Sequence, residues 1–232
     1  IAYNLRLFRK VFRVMDFQWF GHSCFLLTAA DGTRILTDPS APPTGYDLHD
    51  IACDIVTSSH AHYDHNYFVA ASGTPDIVNT EGVYTRGDLR ITGIPSFHDD
   101  CGGAERGGNL MFLIECDDLR ILHLGDLGHR LSPETAAALG RINVLLCPVG
   151  GTYTLDAQGA LDVANLLKPR VLIPMHYKTS ALAFDLASVD DFLRASKYRH
   201  TIRLNGSECS ITRDTIFGSE DRILVFDYAV CA

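Results

Sequence analysis

Short apolar runs, punctuated by Gly, Asp and Pro, set the rhythm of the first half of the chain. Asp16–Phe20 reads as a strand, and Ser23–Thr28 and Thr33–Thr37 flank an Asp31-Gly32 pair. Two such runs around Asp-Gly predict a β-hairpin. Further strands are predicted at Asp54–Ser58, Leu89–Ile94, Leu110–Glu115 and Leu119–Leu124, the last two joined by Cys116-Asp117-Asp118. The pattern then changes. Ser132-Pro133 opens an Ala-rich helix that Gly140 closes, with Pro at the first helical position. Ile142–Cys147 is a buried strand, Asp156–Lys168 a helix ended by Pro169, and Val171–Pro174 a strand. Ser188-Val189-Asp190-Asp191 predicts a capping box for a helix to about Ser196. Tyr198–Leu204, Cys209–Thr212 and Arg222–Phe226 complete the strands. Strands crowd the start and βα alternation fills the end, so the expectation is one α/β domain with two layered sheets.

Composition narrows the class. With 47% hydrophobic and 21% charged residues over 232 positions, the chain has the make-up of a globular protein. No apolar run reaches the roughly 20 residues of a membrane span. The net charge is −8. Arg6, Arg9, Lys10 and Arg13 concentrate positive charge at the start, leaving a more acidic body. Such a body argues against broad, sequence-independent nucleic-acid binding. The folded domain is expected from about Met15 (residues 15–232), with 1–14 a basic extension; a basic amphipathic helix packed on the body is the alternative. Residues 1–14 lack an apolar core and small-residue cleavage site of the signal-peptide kind. Seven cysteines without a C-x-x-C pair suggest a reduced, cytoplasmic chain rather than a disulfide framework.

Ten histidines are many for this length, and half of them fall in three of four segments that stand out. His60-Ala-His62-Tyr-Asp64-His65 follows a predicted strand directly. At a strand end, residues two apart point the same way, so His60 and His62 can grip one ion. The following turn can aim Asp64 and His65 at a second. The other segments are Ile94-Pro-Ser-Phe-His98, Leu124-Gly-Asp126 and Ile173-Pro-Met-His176-Tyr, each at or just past a predicted strand end.

In this order the segments resemble the H-x-H-x-D-H signature and later ligand elements of the metallo-β-lactamase superfamily. Phe20-Gly-His22-Ser and Ile35-Leu-Thr-Asp38-Pro look like the opening strands of the subgroup containing ascorbate-6-phosphate lactonase and many uncharacterised hydrolases. The match runs from about Met15 to Lys178. The resemblance implies a four-layer αββα sandwich, two mixed β-sheets flanked by helices. It also implies a first metal on His60, His62 and His98, a second on Asp64, His65 and His176, and Asp126 between them. Imidazole and carboxylate donors suit Zn²⁺, with Mn²⁺ or Fe²⁺ as alternatives. Two ions roughly 3.5–4 Å apart would share a water, lower its pKa to near 7 and present hydroxide to the scissile group. His123 is the alternative to His98. It lies three residues before Asp126 on one strand, so the pleat should turn the two side chains to opposite faces.

Asp64, Asp126 and His129 form the candidate catalytic set, His129 as a substrate contact or proton donor. Asp38 is expected to hold a ligand histidine or its loop, or else to be a turn residue before Pro39. His22 is placed either at the site mouth or as a satisfied histidine beside a glycine turn. Tyr153 and Lys178 are candidates for an anionic group on the substrate. Arg106, in a glycine-flanked and flexible loop, is a candidate for the same task. Asp99 and Asp100 are alternative ligand candidates after His98, but read first as a solvated pair.

The expected activity is binuclear hydrolysis of an ester, lactone or phosphodiester in a small anionic substrate. A homo-oligomer remains open. The alternatives are an iron oxidoreductase or sulfur dioxygenase on the same fold, and, below them, a nuclease. The superfamily's diiron oxidoreductases carry Glu where this chain has His62, together with a flavin module absent here, which favours hydrolysis.

Overall fold

Alternation along the opening strands sorts side chains into two apolar clusters. Met15, Phe17, Trp19, Phe25, Leu27, Ile35 and Ile55 enter the larger cluster. Their neighbours Phe20, Cys24, Leu26, Leu36 and Val56 enter the smaller one. A period of two with both faces apolar marks strands covered on both sides. The computed structural model describes residues 13–196, 200–217 and 221–231, and these sheets account for the pattern.

The chain forms β1 (Val14–Gly21), β2 (Cys24–Thr28), β3 (Arg34–Thr37), β4 (Ile51–Ala52), β5 (Ile55–Thr57), β6 (Ala71–Ser72), β7 (Asp76–Val78) and β8 (Gly82–Arg86). It continues with β9 (Leu89–Phe97), β10 (Gly108–Cys116), β11 (Leu119–His123), β12 (Val144–Pro148) and β13 (Val171–Met175). β14 (His200–Arg203), β15 (Glu208–Thr212) and β16 (Arg222–Val225) follow. One sheet has the order β15-β1-β2-β3-β5-β7 and the other β14-β16-β13-β12-β11-β10-β9-β8, while β4 and β6 form a small separate ladder. Both large sheets are mixed. In the first, β3, β5 and β7 are parallel; in the second, β11, β12, β13 and β16 are parallel and β8–β11 antiparallel.

The two sheets pack face to face. Phe25 of the first meets His123 and Phe226 edge-on, at centroid distances of 6.5 and 6.4 Å. Helices α1 (Pro133–Leu139), α2 (Ala157–Leu167), α3 (Val189–Ala195) and α4 (Arg213–Phe217) complete the described elements. Helix α2 crosses between the parallel strands β12 and β13 and packs on β12 and on α1 and α3. The outer face of the six-stranded sheet is covered by the loops bearing Tyr46, Leu48, Leu182 and Leu186, together with the β4–β6 ladder.

Local signals behave as their chemistry requires. The Asp31-Gly32 hairpin forms, pairing Thr28 with Arg34. Asp117 and Asp118 both take left-handed φ, at 52° and 60°, which a two-residue turn between right-twisted strands demands. Ser132 caps α1 through Thr135 N–H, and Ser188 with Asp191 makes the capping box of α3. Val14 already pairs with Thr212, so the sandwich takes in one residue before Met15. Residues 1–12, and Tyr198 and Arg199 of the predicted late strand, lie outside the described residues.

The registers also fix where loops meet. β9 and β11 both run antiparallel to β10, and β11 is parallel to β12 and β13. The C-terminal ends of β9, β11 and β13 therefore lie at one edge of their sheet. β3 and β5 end together in the facing sheet. The segments bearing His60–His65, His98, Asp126 and His176 each start from one of these strand ends.

Candidate metal centre

Three groups of donor atoms converge at that edge: His60, His62 and His98; Asp64, His65 and His176 with His22; and His60 and His65 with Asp126. Within each group the atoms lie within 4.8 Å of one another. Asp126 Oδ2 is central, with Nε2 of His65 and His98 each at 3.1 Å, His176 at 3.3 Å and His60 at 3.9 Å. His60 and His62 come together through the bends and turn after β5 rather than through strand pleating, since β5 stops at Thr57. Their rings lie 4.5 Å apart.

The tautomers follow from the second ring nitrogens. His98 Nδ1 is 3.1 Å from the Tyr153 carbonyl, which can only accept, so Nδ1 carries the proton and Nε2 presents a lone pair. His65 Nδ1 likewise donates to Asp38 Oδ2 at 2.9 Å. Ser59 Oγ donates to the same carboxylate oxygen at 2.6 Å, so its oxygen accepts from His60 Nδ1 at 2.9 Å. One buried aspartate thus orients His65 directly and His60 through a hydroxyl, and it also accepts the Ser59 backbone N–H. The result is that Nε2 of His60 and His65, together with Asp126 Oδ1, are buried without hydrogen-bond partners. Buried polar atoms left bare in this way are costly unless something occupies the space between them.

Electrostatics point the same way. Asp38, Asp64 and Asp126 are buried together, and no lysine or arginine among the described residues pairs with them. Burial would raise the Asp126 carboxyl, but His176 and His65 hold it well below the usual carboxylate range. Asp64 is lowered in the same way, burial being outweighed by the adjacent His22 and His65. Burial opposes a charge on His65, yet the facing carboxylates of Asp126, Asp38 and Asp64 favour positive charge at that point. A cluster that collects positive charge, presents bare Nε2 atoms and contains no thiolate fits a divalent cation held by nitrogen and oxygen.

The backbone around the cluster is built for close approach. Asp38, His22 and His176 adopt left-handed φ of 39°, 50° and 51°, a conformation that side-chain-bearing residues rarely take outside functional sites. Gly125 has φ +55°, and a Cβ there would lie 2.4 Å from Asn109 Oδ1 and 2.6 Å from Ser59 Cβ. Asn109 closes this corner: its Oδ1 accepts Asp126 N–H at 2.9 Å, and its Nδ2 donates to the Leu124 carbonyl and Ser96 Oγ.

The structure keeps His123 out of the donor groups, and several other sequence expectations need revision. His123 stands fully buried between the sheets, with Nε2 on the Ser23 carbonyl and Nδ1 accepting Gly125 N–H. Both its nitrogens are used, and the site takes His98. His129, expected as a proton donor, accepts Phe97 N–H at Nε2 and donates from Nδ1 to the Arg130 carbonyl, fastening one loop to another. Lys178 does not reach the cavity. Its ammonium donates to the carbonyls of Leu182 and Phe184, at 2.7 and 2.6 Å. His22 is not at the mouth but fully buried, with Nε2 3.2 Å from Asp64 Oδ2 and its ring 4.0 Å from that of His176. Burial and the neighbouring His176 lower its pKa to about 4, so it is neutral. Asp99 is not solvated: it is buried and accepts the backbone N–H groups of Cys101, Gly103, Glu105 and Arg106, tying the 99–107 loop into a defined shape.

Above the cluster lies a cavity of about 380 Å³, a volume suited to a small molecule. His62, Asp64, His98, Asp126 and His176 face it from below, and Tyr63, Phe184, Arg106 and Tyr153 form its walls. Arg106 and Tyr153 are therefore brought to the site. Tyr63, Phe184, Asn109, Ser59 and Asp99 were missed as site residues. Only Tyr63 had a usable signal, its place inside the histidine motif. All seven cysteines are free and outside the donor groups. No helix among the described residues is long and apolar enough to cross a membrane.

Comparison with known proteins places this geometry in context. The family model for the beta-lactamase superfamily domain matches residues 16–176. A UPF0173 metal-dependent hydrolase from Archaeoglobus fulgidus is 28% identical over 220 residues, covering 79% of this chain and 91% of that protein. Among solved structures, a candidate Zn-dependent hydrolase of the metallo-beta-lactamase superfamily from Thermotoga maritima is 36% identical, with a TM-score of 0.75. The match covers 93% of this chain and all of that one. CmlA, a diiron beta-hydroxylase from Streptomyces venezuelae, shares the fold at 16% identity and a TM-score of 0.56, over 86% of this chain and 54% of CmlA.

Proposed function

Because this chain belongs to the beta-lactamase superfamily and is a metal-dependent hydrolase, we propose that it works through a binuclear centre on an ester, lactone or phosphodiester of a small anionic substrate. In this reading His60, His62 and His98 hold one divalent ion, Asp64, His65 and His176 hold the other, and Asp126 lies between. Zn²⁺ is the preferred metal, since the donors are imidazole and carboxylate without sulfur. The observation that carries the reading is the arrangement of tautomers. Carbonyl, carboxylate and hydroxyl partners keep the proton of His98, His65 and His60 on Nδ1, so three lone pairs point into one carboxylate-lined space.

Bound there, two divalent ions supply a nucleophile at neutral pH and a Lewis acid for the scissile group. The chain's own residues do the rest. Asp38 and Ser59 hold the imidazoles in the ligating tautomer, and Asn109 fixes the Asp126 backbone. Asp64 is braced by His22, which donates from Nε2 and stays neutral. The cavity walls limit the substrate to a small molecule and leave its entry at the exposed His62 and Tyr63 side. The pairing of Val14 with Thr212 supports treating residues 15–232 as one hydrolase domain.

The reading is tested on 4-nitrophenyl phosphodiesters, lactones and thioesters with metal-free protein reconstituted with Zn²⁺ or Mn²⁺. Turnover should appear with about two equivalents of metal and be abolished in Asp126→Ala with the fold retained. An unchanged rate in Asp126→Ala refutes it. One equivalent of iron with no hydrolysis of any substrate would favour the oxidoreductase alternative instead.

A further inference from the structure

The cavity walls differ in chemistry, and each is attached to a different half of the histidine cluster. Tyr153 belongs to the His98 side, since its carbonyl accepts His98 Nδ1–H. Arg106 lies over the Tyr153 ring, its guanidinium carbon 5.9 Å from the centroid, within reach of a cation–π contact. Phe184 belongs to the His176 side. Its ring stands edge-on to His22 at 5.6 Å, and His22 in turn packs on His176 at 4.0 Å. Tyr63 meets Phe184 edge-on at 6.2 Å. A substrate over Asp126 would therefore have a cation beside one end and two aromatic rings beside the other.

Both walls are held in place. Asp99 follows the His98 ligand directly, and its carboxylate accepts four backbone N–H groups that end with Arg106. The position of Arg106 is thus referenced to the cluster through one residue. On the other side, Lys178 lies two residues after His176 and grips the carbonyl of Phe184. Yet the guanidinium itself is poorly matched within the protein. Its one carboxylate contact among the described residues is Glu105, at 3.5 Å with that side chain 67% exposed, where an ion pair contributes little. Tyr63 and Tyr153 remain about half exposed at the mouth, an exposure of aromatic surface that burial of a ligand would relieve.

We propose that the cavity selects substrates that are charged at one end and apolar at the other, with Arg106 receiving a carboxylate or phosphate on the His98 side and Tyr63 with Phe184 receiving an aryl or short acyl group on the His176 side. The inference rests on the hydrolase reading only for the place of the scissile bond between the two walls. Arg106 is suited to the task because its planar fork can bind an oxyanion through two parallel N–H bonds, which lysine cannot do. The acidic body would repel an anion elsewhere, so local positive charge must come from this wall and the bound metal.

Two measurements on the metal-loaded protein separate this inference from the activity. Calorimetric binding of 3-phenylpropanoate and of its neutral amide reads the polarity of the cavity without turnover. The acid should bind more tightly than the amide. Arg106→Gln should weaken the acid by about tenfold and the amide by less than twofold, and Arg106→Lys should recover part of the loss. Phe184→Ala should weaken both. Equal losses for acid and amide in Arg106→Gln, or no loss for either, would overturn the proposal. Turnover of the 4-nitrophenyl monoester of glutarate against neutral 4-nitrophenyl pentanoate then tests the chemistry. If neither ester is cleaved while the binding pattern holds, the ester reading fails and the two-ended cavity stands. If both are cleaved with no effect of Arg106 on their ratio or on binding, the hydrolase reading stands and the cavity proposal fails.

Discussion

Replacing Asp38 by Asn changes one atom and should disturb two of the proposed metal ligands. The carboxylate is fully buried and accepts three hydrogen bonds, from His65 Nδ1, Ser59 Oγ and Ser59 N. An amide has one oxygen to offer. If that oxygen faces Ser59 N, the NH₂ group takes the Oδ2 position, 2.9 Å from His65 Nδ1 and 2.6 Å from Ser59 Oγ. His65 must then accept at Nδ1 and carry its proton on Nε2, the atom proposed to bind the metal. Ser59 must turn its hydroxyl proton toward His60, which drives His60 into the same unproductive tautomer. If the amide flips instead, two N–H donors meet at Ser59 N, a buried mismatch of about 1–3 kcal/mol. Loss of one such partner typically lowers metal affinity by about 10- to 100-fold, equivalent to about 1.4–2.7 kcal/mol. With two histidines affected, Asp38→Asn should fall at the upper end. Ser59→Ala, which deprives only His60 of its acceptor, should lose about tenfold. Zn²⁺ competition against a chromophoric chelator measures both, with the melting temperature of the metal-free proteins as the control for folding. A dissociation constant within about threefold of wild type in Asp38→Asn would refute the tautomer relay.

Three further outcomes follow from individual contacts. Asn109→Ala leaves the buried Asp126 N–H without an acceptor and should cost about 1–3 kcal/mol. For a chain of this size that is a fall in melting temperature of roughly 2–12 °C, accompanied by reduced kcat; an unchanged midpoint and rate would contradict it. His129→Gln should keep kcat within about threefold. A proton donor would instead lose on the order of 10²–10⁴, and that result would return His129 to the chemistry. Lys178→Met frees the segment that carries Phe184, so KM for an aryl ester should rise several-fold with kcat unchanged. A fall in kcat at constant KM would show that Lys178 acts on the reaction itself.

How much of this was legible in the amino-acid sequence depended on how locally each feature is determined. The paired strands around Asp31-Gly32, the caps at Ser132 and Ser188 and the long strands β9–β13 could be read because their signals lie within the elements. β7 and β8 went unread because they are edge strands whose mostly exposed side chains carry little apolar pattern. The donor residues were visible because strand ends place them, and four of the seven lie within one six-residue run. What the side chains at strand ends contact was not visible. Lys178 follows the His176 motif closely, but its direction is decided by carbonyls that arrive from the 179–187 loop. Asp99 looked solvated because its four partners are backbone groups, and only the folded turn presents them. His22 and His129 show the same limit from opposite sides. Both flank glycine and both are plausible at a mouth, yet one is sealed behind Asp64 and the other fastens two loops together.

The most direct test of the account is the anomalous scattering of metal-loaded crystals at the zinc edge. The account predicts two peaks per chain, roughly 3.5–4 Å apart, with Asp126 between them. One should lie beside His60, His62 and His98, the other beside Asp64, His65 and His176, each at about 2.0–2.2 Å from its donor atoms. A single peak at full metal saturation, or peaks bound by His123 or His129 in place of His98, would contradict it.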